Sequence, residues 1–354
     1  MCGELFRIII FLYFTTLTLQ KPKLFYSFLL KIVNMAIEID TIDRKILIEL
    51  DKNARISYSE LGKRIRVAKE TVKYRITQLE KKGIISGYYT VINLSKLGFV
   101  LYRLYLRLQN TSPKIEQMIT DYLLRSKNVA VFYRASGPFH IALGVWTRNA
   151  WECEDFWLDF KSKFGEYISN YHLSLMTEYT EFSRTYLLPT QEKMAFNTIT
   201  KATSEKLDKL DLNLISFLSN NARASLVEIA KKLGSSIITS RYHLKNLINK
   251  KVILGFRPIF NLAALGYEYY KVDLWFKKFD HAKDVVQHIL SHPNVIYTEH
   301  TLITSDLEFD VEIENFEKFI AMMDSFKAKF PDDIKDYKYY ERIRNYKTNY
   351  VPSL

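Results

Sequence analysis

Asn53-Ala54-Arg55-Ile56-Ser57 returns 168 residues later as Asn221-Ala222-Arg223-Ala224-Ser225. Asn93-Leu94-Ser95-Lys96-Leu97-Gly98 returns at the same offset as Asn261-Leu262-Ala263-Ala264-Leu265-Gly266. Working outward from these strings, residues 39–99 align without a gap on 207–267, with about nineteen identities in about sixty positions. Self-similarity at a fixed offset is the mark of one structural unit used twice. The likeness weakens downstream, where Phe160-Lys161-Ser162-Lys163-Phe164 recurs as Phe326-Lys327-Ala328-Lys329-Phe330. The chain is a tandem duplication. The polar segment 190–206, after Pro189, reads as the linker between the copies.

Composition excludes several classes. Of 354 residues, 48% are hydrophobic and 14% aromatic, too apolar for a disordered chain. Two cysteines, Cys2 and Cys153, rule out a disulfide framework and a Cys-rich zinc finger, and fit a reducing, cytoplasmic compartment. The formal net charge is +12, which makes nucleic acid or an anionic membrane surface the first partner to test. Residues 35–98 carry about +5 and residues 207–266 about +6, whereas residues 267–354 carry about −4 and are not expected against phosphates. The basic excess sits in two blocks.

Each block opens with helical periodicity. Ile42, Ile46, Leu47 and Leu50 form one apolar stripe over 41–51. Ser57-Tyr58-Ser59-Glu60 announces a second helix by a capping box, repeated as Ser225-Leu226-Val227-Glu228. A third helix spans 68–82, with Val72, Ile76 and Leu79 inward and Gly83 at its end; its partner spans 236–251. Residues 84–91 and 252–259 then read as a small β-ribbon in each copy. Three helices and a ribbon in this order make a winged helix-turn-helix. Beyond it, each copy follows a βαββαβ order, the ferredoxin-like plan. The fold class is α+β, with winged helix-turn-helix domains at 35–98 and 207–266 and ferredoxin-like domains at 99–189 and 267–354.

In a helix-turn-helix the second helix of the pair enters the major groove of double-stranded DNA. The candidate DNA-binding residues there are Lys69, Thr71, Lys73, Tyr74, Arg75 and Lys82 in the first copy. In the second they are Ser236, Thr239, Ser240, Arg241, Tyr242, His243 and Lys245. Arg75 and Arg241 are expected to pair bidentately with guanine, and the hydroxyls to reach bases or phosphates. The first head carries Glu70 and Glu80, while residues 235–251 hold no acid, so either unlike half-sites or a second head that binds the backbone more strongly is expected.

The string from Ile39-Asp40-Thr41-Ile42-Asp43 to Asn53-Ala54-Arg55, with Glu80-Lys81-Lys82-Gly83-Ile84-Ile85-Ser86-Gly87-Tyr88, resembles the opening of the Lrp/AsnC (feast/famine) transcriptional regulators. Leu97-Gly98-Phe99 resembles their junction between DNA-binding and ligand-sensing domains. The resemblance covers residues 38–188 and, more loosely, 207–346. It implies a transcriptional regulator that senses an amino-acid-like effector, the ferredoxin-like domains acting as sensors. Two fused units imply an intramolecular pseudo-dimer, open to further homo-oligomerisation. The family's Gly-x-x-Asp effector turn is altered here, to Ser136-Gly137-Pro138-Phe139-His140 and Thr304-Ser305-Asp306-Leu307-Glu308. Gly137, His140, Ser305 and Asp306 are therefore candidate effector residues, in turns that otherwise bind another ligand or only join strands.

Three further readings are open. Siroheme decarboxylases share this two-domain plan and are the enzyme alternative, but they need His and Arg converging on an acidic tetrapyrrole, and most of the seven histidines lie in the acidic last domain. Asp284, His288 and His292 have helical metal-ligand spacing without a fixed further ligand, so neither a metal nor a cofactor is expected. Phosphate-loop, nucleophile-elbow and C-x-x-C motifs do not occur. Residues 1–34 form an apolar leader whose stretches fall short of the ~20 residues a membrane span needs. Met35 is the expected start, with a membrane tether as the alternative.

Overall fold

The computed structural model describes residues 37–189, 192–302 and 304–352. The apolar leader lies outside them, and no helix among them is long and apolar enough to cross a membrane. In chain order the first unit comprises α1 (Thr41–Lys52), α2 (Tyr58–Ile65), α3 (Lys69–Lys81), β1 (Ile85–Ile92), β2 (Val100–Leu108), α4 (Pro113–Arg125), β3 (Val129–Ser136), β4 (Ile141–Thr147), α5 (Ala150–Phe164) and β5 (Ile168–Phe182). Strand β6 (Ala195–Ile199) follows. The second unit comprises α6 (Lys209–Leu218), α7 (Leu226–Leu233), α8 (Ile237–Asn249), β7 (Ile253–Phe260), the one-turn α9 (Leu262–Leu265), β8 (Glu268–Phe276), α10 (Ala282–Ser291), β9 (Val295–Thr301), β10 (Leu307–Ile313), α11 (Phe316–Lys329) and β11 (Ile334–Thr348).

Matched caps start matched helices. The Asp40 carboxylate accepts from the Asp43 N–H at 2.8 Å, and Asp208 does the same for Asp211. Each satisfies a backbone donor that the first helical turn leaves without a partner. The expected capping box is complete at Ser225 and Glu228; at Ser57 only half of it forms, because Glu60 turns instead to Arg64. Inside each three-helix head the stripe read from the sequence is buried: Ile46, Leu47, Leu50, Val72, Ile76 and Leu79 in one, Leu214, Ile215, Leu218, Leu244 and Leu247 in the other.

Two corrections concern the connections. The ribbon is not built within each copy: β1 pairs antiparallel with β7, with Tyr88 opposite Pro258. Each unit supplies one strand after its third helix, and that strand's backbone groups need a partner from the other unit. The segment 190–206 is more than a linker, because β6 pairs with the outer end of β5 and buries Phe196 and Ile199.

Within each unit the strands run in ferredoxin-like order, β5-β2-β4-β3 and β11-β8-β10-β9. The two sheets close on one another. Strand β5 pairs with β2 up to Met176 and with β9 beyond it, while β11 pairs first with β8 and then, from Glu341, with β3. The result is a ring of eight antiparallel strands with the helices outside.

The interior of that ring is polar. Strand β10 reads Leu307-Glu308-Phe309-Asp310-Val311-Glu312-Ile313, and all seven residues are buried. Its apolar side chains pack in the cluster that includes Phe319 and Phe326 of α11, leaving the acids for the other face of the strand. Lys271 Nζ donates to Glu299 at 2.8 Å and to Glu308 at 2.6 Å, and Arg103 Nε donates to Glu299 at 3.2 Å. Burial pushes the carboxyls of Asp273 and Asp310 up to about 7 and about 6. The acidic excess of residues 267–354 is therefore partly an internal property.

A second buried network joins the heads to the barrel. Asp51, at the end of α1, accepts from Arg257 NH2 at 2.8 Å, Arg184 NH1 at 3.0 Å and the Arg184 N–H at 2.7 Å. Arg184 continues to Glu312 at 2.7 Å, and Arg257 to Glu181 at 3.0 Å. Burial alone would raise the Asp51 carboxyl, but the two guanidiniums outweigh it and hold it below its usual range. Asp51→Ala removes the carboxylate that Arg184 and Arg257 share, leaving each with one, Glu312 and Glu181, and is expected to lower unfolding free energy by roughly 3–5 kcal/mol, read from the urea midpoint. Asp310 behaves in the opposite sense: its raised pKa favours the fold below about pH 4, and that contribution is lost as pH rises through 6. Asp310→Asn should gain about 1 kcal/mol on the parent between pH 5 and pH 8, measured by paired urea melts.

Candidate nucleic-acid interface

The turn between α2 and α3 must double back within three residues. Arg66 takes a left-handed conformation there, with φ 59°, and the matching position in the second unit is Gly234, with φ 61°. A side chain at Gly62 would meet the Val67 carbonyl at 2.5 Å, so the end of α2 presses directly on the turn. Helices α3 and α8 are thereby fixed with one face inward and the other in solvent.

The solvent faces are alike in charge and unlike in detail. Lys69, Glu70, Lys73 and Lys82 are exposed on the first head, and Tyr74 is 62% exposed. On the second, Ser236, Arg241 and Lys245 are exposed, Tyr242 is 67% exposed and Ile238 is 81% exposed. Among the described residues, Lys69, Lys73, Lys82, Arg241 and Lys245 have no carboxylate within ion-pair distance. Sequence reasoning passed over Ile237 and Ile238, which occupy the positions of Lys69 and Glu70; the 168-residue offset was the signal that could have found them.

Four candidate residues are engaged elsewhere. Arg75 does not face outward: it is ion-paired with Asp40 and, at 3.2 Å, with Asp43, tying α3 to α1. Those two carboxylates raise its pKa. The offset matches Arg75 with His243 rather than Arg241, and His243 Nδ1 lies 2.7 Å from Asp211 in the same tie. Asp208, Asp211 and His243 place ligand-capable atoms within 4.8 Å of one another. The corner nevertheless reads as a helix-to-helix brace, since Arg75 closes it in the first unit. Ser240 is fully buried against Ser235, with 2.8 Å between hydroxyls, because it matches the core residue Val72. Ser236 is the N-cap of α8, accepting from the Thr239 N–H at 3.0 Å, and Thr71 and Thr239 are half-buried.

The repeated Asn-Ala-Arg string is a brace across the ribbon. Arg55 NH1 donates to the Ala222 carbonyl at 2.7 Å and lies over Phe256, while Arg223 lies over Tyr88. Each arginine thus clasps the other unit.

The four effector candidates sit in turns that hold strands. The His140 ring accepts from the Leu108 N–H at 3.1 Å, and burial, with Arg107 and Arg134 nearby, lowers its pKa. Gly137 has φ 113°, and a side chain there would touch the Tyr339 carbonyl of the other unit at 3.2 Å. Asp306 accepts from the Phe276 N–H at 2.7 Å, and the buried Ser305 hydroxyl has no partner among the described residues. His288 and His292 pack edge-on against Phe326 on the far side of the sheet from the barrel interior.

Arg75→Ala should therefore lower thermal stability by the roughly 1 kcal/mol of a half-exposed ion pair, while the base preference of the protein stays as it was. A DNA-selection experiment on the variant reads the second half of that statement.

The family described as "Winged helix-turn-helix DNA-binding" matches residues 39–86 and 207–253. An HTH-type transcriptional regulator of Pyrococcus horikoshii is 34% identical over 128 residues, 36% of this chain and 82% of that protein. The HTH-type transcriptional regulator LrpA of the same organism is 32% identical over 117 residues, 33% of this chain and 82% of that protein. Among solved structures, the siroheme decarboxylase NirDL superposes with a TM-score of 0.60 at 12% identity, covering 88% of this chain and 94% of that one, a likeness of fold. Each regulator is thus nearly matched by about a third of this chain, in keeping with a unit used twice. The chain belongs to the Lrp/AsnC family of HTH-type transcriptional regulators, with two family units joined in tandem.

Proposed function

We propose that this regulator binds double-stranded DNA in a sequence-dependent way, with α3 and α8 as unlike reading heads. The observation that supports it most is the matched pair Lys73 and Arg241, exposed cations without ion-pair partners at equivalent positions on the second helix of each helix-turn-helix. Lys73 and Arg241 are the matched base-edge readers. Lys69, Lys82 and Lys245 act on phosphates, and Tyr74 and Tyr242 reach the backbone beside them. The heads differ where reading begins. Glu70 accepts hydrogen bonds and suits the cytosine amino group, whereas Ile238 is apolar and suits the thymine methyl. The preferred operator is accordingly not palindromic. A small molecule modulates binding.

Anisotropy of the full chain on duplexes selected from a random pool tests this. Affinity should fall steeply with salt, with a log–log slope near −0.9 per neutralised phosphate. Arg241→Ala should cost about 1–3 kcal/mol on the selected site and relax preference in one half-site. Replacing thymine by uracil in that half should weaken the parent and leave Ile238→Ala unaffected. Equal binding to selected and scrambled DNA would sink the sequence-reading claim.

A further inference from the structure

Between the shared ribbon and the mouth of the barrel lies a cavity of about 190 Å³. Tyr89 and Ile259 contribute to its lining from the ribbon, and Tyr133, Tyr179, Tyr269 and Tyr297 from the barrel strands. It is separate from the Gly137 and Asp306 turns, neither of which reaches it.

The charged groups around it fall into two kinds. Arg103 is held by Glu299, and Arg184 by Asp51 and Glu312. Glu181 is occupied by Arg257 and by the Tyr89 hydroxyl at 2.7 Å, and Glu312 by Arg184 and the Tyr186 hydroxyl. Arg342 is different. Its guanidinium lies 3.6 Å from the centre of the Tyr269 ring, and among the described residues it meets no carboxylate and donates no hydrogen bond. Trp146 also lines the cavity, is 5% exposed, and its indole N–H has no acceptor among the described residues. The carboxylates in the cavity wall are used, whereas the Arg342 guanidinium is not.

The Arg342 guanidinium is half-buried, so a ligand carboxylate there replaces a bond to water with a charge-assisted one. A guanidinium is built to take a carboxylate in a two-pronged hydrogen bond. The tyrosine rings offer flat apolar walls for the rest of such a molecule. A dry cavity near 150 Å³ suffices to hold benzene, which sets the scale.

We propose that this cavity binds a small planar monocarboxylate, with Arg342 on the carboxylate and the tyrosines stacking its body. Because Tyr89 and Ile259 belong to the ribbon that carries both reading heads, occupancy also alters DNA affinity, and this second effect alone rests on the DNA-binding reading. The position equivalent to Arg342 in the first unit is Met176, so the chain holds one such site and not two.

The test is calorimetric titration of the full chain, free of DNA, with benzoate and with its neutral isostere benzamide. Benzoate should bind once per chain and benzamide at least tenfold more weakly, a difference of about 1.4 kcal/mol. Arg342→Met should remove at least tenfold of the benzoate affinity, and Asp306→Asn none. No benzoate heat at about 10 mM, equal binding of the two probes by the parent protein, or benzoate binding unchanged in a folded Arg342→Met protein each overturns the proposal. Should Arg342→Met not fold, the benzoate-to-benzamide ratio in the parent decides. Since DNA is absent, a failure here is distinct from a failure of the reading heads.

Discussion

Strands β5 and β11 are each fifteen residues long, and each is shared between the two sheets. Neither unit can satisfy the backbone hydrogen bonds of its last strand alone, since half of each strand lies on the other unit. An unpaired sheet edge is costly to bury and hazardous to expose, and the closed ring removes it. The remaining architecture follows from that exchange. Closing two sheets face to face creates a shared interior, and the same geometry brings the two post-helical strands close enough to pair as one ribbon.

The ribbon and the Asp51 network then transmit the barrel's position to the heads. Asp51 belongs to α1, Arg257 to β7, Arg184 to the end of the first ferredoxin-like domain and Glu312 to the second, so four domains meet in one buried cluster. On the opposite side, the equivalents of Asp51 and Arg257 are Ser219 and Tyr89, and Tyr89 stacks on Tyr350 at 4.0 Å instead. The Tyr89 hydroxyl also donates to Glu181, the partner of Arg257, so the aromatic contact and the ionic cluster form one continuous anchor.

Much of the fold was legible because periodicity and caps are local. The βαββαβ order, the helix stripes and the Ser225–Glu228 box could all be read from adjacent residues. What could not be read depended on which element lies opposite. The alternating Leu307–Ile313 strand looks half-exposed in sequence, yet its acids face cations supplied by β8 and by β2 of the other unit. The ribbon strands carry no sign that their partner is 168 residues away. At the site, exposure on α3 and α8 followed from the stripe, but Arg75 and His243 were misjudged because their acidic partners sit on a different helix. Ser240 differs for a simpler reason: a hydroxyl on a basic helix reads as outward, although its counterpart Val72 is core.

In a dimer of identical chains, a two-fold axis obliges every residue near it to face a copy of itself or to be repeated on the other side. A carboxylate that suits one half must then be tolerated in both. Here Lys271 is matched by Arg103, Glu299 by Tyr133, Glu308 by Ala142 and Asp310 by Gly144, so acids come from one half and room for them from the other. Covalent fusion has freed the two halves to specialise, and the price is that neither can be exchanged for its sibling. A homodimer of either half would bring together six carboxylates and two lysines, or two arginines with no acid at all. The duplication has thus become irreversible: the joined halves now form a lock and key that a return to separate identical chains would break.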